Sequence, residues 1–87
     1  MCTTITTTSA LHGSGKGANG WFHIDQVCLG YDHPFHAQLE HAVSIDFVNE
    51  ATSTKQRLAV ELSRESARQL AQQLLAIVDQ ADAYENK

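Results

Sequence analysis

The sharpest constraint on this chain is a change of period at Ser63. Residues 57–62 alternate, with Leu58, Val60 and Leu62 on one side and Arg57, Ala59 and Glu61 on the other. That is the pattern of a half-buried strand. Beyond it, Ala67, Leu70, Ala71, Leu74, Ile77, Val78 and Ala81 recur at helical spacing, which predicts an amphipathic helix over 63–82. The Ser63 hydroxyl can accept from an orphan N–H of the first turn. Glu65 stands where the helix dipole favours an acid. A strand therefore runs directly into a helix whose apolar stripe needs a surface to cover it.

Three more strands are expected upstream. Residues 2–8 are β-branched almost throughout, which suits a strand. Residues 9–20 carry Gly13, Gly15, Gly17 and Gly20 and read as a flexible hairpin connection. Residues 21–31 are aromatic and β-branched but change phase. Phe22, Ile24 and Cys28 form one row, and Val27, Leu29 and Tyr31 form another. A bulge near Gln26, or burial of both faces in an oligomer, would account for this. Residues 41–48 alternate cleanly, with Val43, Ile45 and Phe47 opposite Ala42, Ser44 and Asp46. The expected fold is α+β in one domain, in the order β-β-β-β-α. It is a four-stranded antiparallel sheet with the C-terminal helix packed on one face.

At 87 residues such a domain buries only roughly 60–65% of its unfolded surface and usually needs a staple. Cys2 and Cys28 can make at most one disulfide. No secretory signal opens the chain, so the expectation is a cytoplasmic protein with reduced thiols. A bound metal or a homo-oligomer then remains as the staple. No stretch is long and apolar enough for a membrane span. Ten acids against six bases give a net charge of −4. The bases do not cluster, which argues against a nucleic-acid partner.

The Gly13-Ser14-Gly15-Lys16-Gly17 run lacks the spacing of a phosphate-binding loop. Ala10 and Gly17 stand where Gly and Ser or Thr belong, and no strong helix follows. A lid carrying Lys16 toward a small polar or anionic ligand is the alternative to a plain connection. Residues 32–41 carry more chemistry. His33, His36 and His41 fall within nine residues, flanked by Asp32 and Glu40. Imidazole and carboxylate suit zinc, nickel, copper and ferrous iron. A loop bent through Pro34 would gather the three histidines around one divalent ion, with zinc the first choice. Glu40 is then the candidate general base, or the partner that orients a ligating imidazole. His12 and His23 are isolated and read as ordinary hydrogen-bonding side chains.

Several runs together resemble a family of short uncharacterised bacterial proteins, mostly actinobacterial. They are Gly13-Ser14-Gly15-Lys16-Gly17 with Gly20-Trp21-Phe22, Tyr31-Asp32-His33-Pro34 with His36, Glu40 and His41, Ile45-Asp46-Phe47, and Val60-Glu61-Leu62-Ser63. The family has no assigned activity, so the resemblance lends no catalytic residue. Two function classes follow from the residues themselves. One is a small metal-binding protein, with hydrolase, lyase or isomerase chemistry at a subunit interface as its catalytic form. Its need for an interface comes from size, because a pocket of roughly 300 Å³ strains a monomer this small. The other is a non-catalytic ligand-binding or structural interaction module.

Overall fold

The structure, a computed structural model, describes residues 5–34, 38, 40–50 and 56–86. Four strands precede one helix: β1 (Ile5–Gly17), β2 (Gly20–Asp32), β3 (Ala42–Asn49), β4 (Gln56–Leu62) and α1 (Arg64–Glu85). The strands form one antiparallel sheet in sequence order. Fold class and element order are those the sequence predicts. The Thr-rich start expected at 2–8 falls within the described residues from Ile5 onward.

The register sorts the side chains onto two faces. Leu29 pairs with Ile45 and Ile45 with Val60, while Val27 pairs with Phe47 and Phe47 with Leu58. These residues make one face apolar. Cys28 pairs with Asp46 and Asp46 with Ala59, while Gly30 pairs with Ser44 and Ser44 with Glu61. This second face is the polar one.

The glycine-rich run is strand rather than connection. β1 continues to Gly17, and only Ala18 and Asn19 form the turn. Gly20 takes the positive φ, 106°, that closes it, a conformation L side chains resist. A close approach explains Gly15. A Cβ there would stand 2.9 Å from Ile24 Cδ1 and 3.8 Å from Phe22 Cζ. Phe22 and Ile24 are buried because they lie over a strand stripped of side chains. Sequence reading takes such a run for a loop because it lacks the alternation that marks a strand.

The bulge lies on β1, not on β2. Ala10 pairs with Gln26 and Gly13 with Ile24, so the extra residue falls between Ala10 and Gly13. A bulge bends its strand and increases the twist. Beyond it the hairpin runs past β3, whose last partner on β2 is Gln26. Burial changes phase here, from Phe22 and Ile24 on one parity to Val27 on the other.

α1 begins as predicted, with Ser66 N donating to Ser63 Oγ at 3.1 Å. It runs past the expected end to Glu85. It contacts β3 and β4, yet none of its residues is buried. The apolar stripe of α1 is therefore left open by the sheet that it follows. No helix of the described residues is long and apolar enough to cross a membrane.

Candidate functional site

The histidine-rich segment joins the end of β2 to the start of β3, where Asp32 pairs with Ala42. Asp32 Oδ1 accepts from the His33 backbone N–H at 2.7 Å, giving that donor a partner as the ladder ends. Pro34 is buried, and its ring disfavours a helical backbone at His33. His33 Nδ1 lies 3.0 Å from the Glu40 carbonyl oxygen. A carbonyl only accepts, so Nδ1 carries the proton and the neutral ring keeps its lone pair on Nε2. This is the arrangement by which proteins orient a ligating imidazole.

The Glu40 atom that meets His33 is a main-chain oxygen, not the carboxylate the sequence offers as base or orienting partner. His41 is placed differently. Its ring stacks on Tyr31 with centroids 5.4 Å apart and planes 26° from parallel. Tyr31 pairs with Val43 and belongs to the apolar face. Among the described residues, no group of three or more His, Cys, Asp or Glu side chains is arranged to hold a metal ion. His36, the third expected ligand, lies outside the described residues.

His33 lines an open basin of about 390 Å³ on the polar face of the sheet. Asp32, Cys28, Asp46, Arg57 and Glu61 also line it; His41 does not. One Arg57 nitrogen donates to both Asp46 carboxylate oxygens at 2.8 Å. The two residues are diagonal neighbours across β3 and β4, since Arg57 pairs with Val48. Thr8 Oγ1 donates to Cys28 Sγ at 3.7 Å. Cys28 is a half-buried free thiol on this polar face, not the apolar core residue its strand composition suggests. Arg57 and Asp46 pair within the basin, and Asp32 and Glu61 also line it.

Arg57, Asp46 and Glu61 sit on the outward side of their strands by sequence alternation alone. What joins them to Cys28 and His33 is the register between three strands, which alternation does not carry. The glycine run lies on the other arm of the fold and does not line the basin. Lys16 pairs in the ladder with Trp21.

This chain belongs to a family of unknown function (DUF6295), matched over residues 1–87. No curated protein and no solved structure matches it. The family therefore brings no activity with it, and any functional reading rests on the basin and the histidine segment.

Proposed function

We propose that this member of the family is a small binding module for a divalent transition metal, zinc first, held beside the basin by His33. The observation that carries the reading is the Nδ1 contact with the Glu40 carbonyl. In the neutral ring it leaves Nε2 as the atom that accepts from a proton donor or binds a cation. His36 enters as the second imidazole on its sequence position alone. The reading is one of binding, because Glu40, the expected base, contributes a main-chain oxygen.

The test is the metal content of tag-free protein, with His33→Ala and His41→Ala variants beside it. The expected result is near one ion per chain, lost in His33→Ala and retained in His41→Ala. A chain that stays empty when supplied with zinc, nickel, cobalt, copper and ferrous iron would overturn it. So would equal loss of the ion in both variants, because His41 is stacked on the opposite face.

A further inference from the structure

Among the described residues, α1 carries the largest run of exposed apolar side chains. Leu74 is 56% exposed, Ile77 62% and Tyr84 74%. The chain as a whole presents 6927 Å² to solvent, where a compact monomer of this mass would present roughly 5,100 Å². Its radius of gyration is 14.8 Å, against about 12 Å for a compact chain of this length.

The stripe on α1 also has a finer period than an ordinary amphipathic face. Ala67, Leu70, Leu74, Ile77, Ala81 and Tyr84 are spaced alternately three and four residues apart. That is a heptad seam, the spacing that keeps one helix facing another. Arg64 and Glu85 are 21 residues apart, three heptads, and so flank the seam along the same edge. The first turns of α1 carry Arg64 and Arg68, and the last carry Asp79, Asp82 and Glu85.

We propose that a second copy of this chain covers α1, and that the two helices pair antiparallel across this seam. A two-fold axis near residues 75 and 76 sets Leu74 against Ile77, Leu70 against Ala81 and Ala67 against Tyr84 of the second copy. The two outer layers each match a large side chain with a small one, as close packing needs. Antiparallel pairing brings like edges together, so Arg64 meets Glu85 of the second copy at both ends. It also opposes the two helix dipoles. Parallel pairing would instead bring unlike edges together, so Arg64 and Glu85 would not meet across the seam. This surface is separate from the basin, and the proposal does not depend on metal binding.

Sedimentation equilibrium of the full chain at micromolar concentration tests it. The wild type is expected to be a dimer. The double variant Leu74→Glu/Ile77→Glu is expected to be a monomer that keeps its helical circular dichroism, since both positions are exposed in the single chain. Arg64→Glu and Glu85→Arg each place a charge that suits its own helix end. Each should nevertheless weaken dimerisation, by roughly threefold to tenfold, and the combined swap should restore it. A wild-type monomer, or a dimer that survives Leu74→Glu/Ile77→Glu, overturns the proposal. Should that double variant fail to fold, the exposed charge swap decides. Single variants that do not weaken the dimer, or a swap that does not rescue it, overturn the antiparallel pairing.

Discussion

Glycines in this sheet answer to different constraints, and substitution separates them. Gly13 has open space where a Cβ would go, and its φ is not positive. Gly13→Ala should stabilise the protein by about 0.5 kcal/mol, by restricting the unfolded chain. Gly20 also has room, but its φ of 106° is strained for any L side chain. Gly20→Ala should cost about 1–2 kcal/mol. Gly30 is crowded rather than strained. Its Cβ would meet the Ile5 carbonyl oxygen at 3.2 Å and Ser44 Oγ at 3.0 Å. Gly30→Val should therefore cost about 1–3 kcal/mol. Urea unfolding of the three variants checks the order, and equal effects at Gly13 and Gly20 would contradict the turn geometry. None of these distinctions is legible in the sequence, where all three are simply glycines. The side chains that decide them lie far along the chain, as Ser44 does for Gly30. The histidine segment is similar. Its composition points to ligand chemistry, but the choice of the Glu40 carbonyl over its carboxylate is set by backbone geometry.

At the scale of elements, legibility follows how much local pattern each one carries. β3 and β4 alternate cleanly, and their observed bounds, Ala42–Asn49 and Gln56–Leu62, lie within one residue of those expected. β1 hides its length because Gly15 and Gly17 yield their space to Phe22 and Ile24, residues of another strand. The helix is visible in period and in cap, and the cap offers a test. Ser63 Oγ accepts from Ser66 N, and Ser63→Ala should remove about 1 kcal/mol. Because the sheet buries no residue of α1, that loss should fall on the first turn. Reduced helical ellipticity and faster amide exchange over residues 64–67 are expected, with strand amides unchanged. Uniformly faster exchange throughout would mean that helix and sheet unfold as one unit. The ion pair on the polar face is a weaker support. Arg57 is 61% exposed in its side chain, so Arg57→Ala should cost no more than about 1 kcal/mol, and less at high salt.

For the whole molecule the question is what completes the core. Phe22, Ile24, Val27 and Ala42 are the buried hydrophobic residues among those described. They are few for a chain whose apolar sheet face and helix stripe were both legible from periodicity. Periodicity says that a stripe must be covered; it does not say by which chain. If the second copy supplies the cover, folding and association are linked, and stability depends on protein concentration. Each tenfold increase in concentration is worth about 1.4 kcal/mol per dimer. Spread over two chains, that corresponds to about 4 °C in Tm. Wild-type Tm should therefore climb steadily over a hundredfold concentration series, while that of Leu74→Glu/Ile77→Glu stays flat and lower. A wild-type Tm independent of concentration would place the stabilising contacts within one chain. The few buried residues of the sheet would then have to hold α1 unaided, which the exposure of Leu74 and Ile77 argues against.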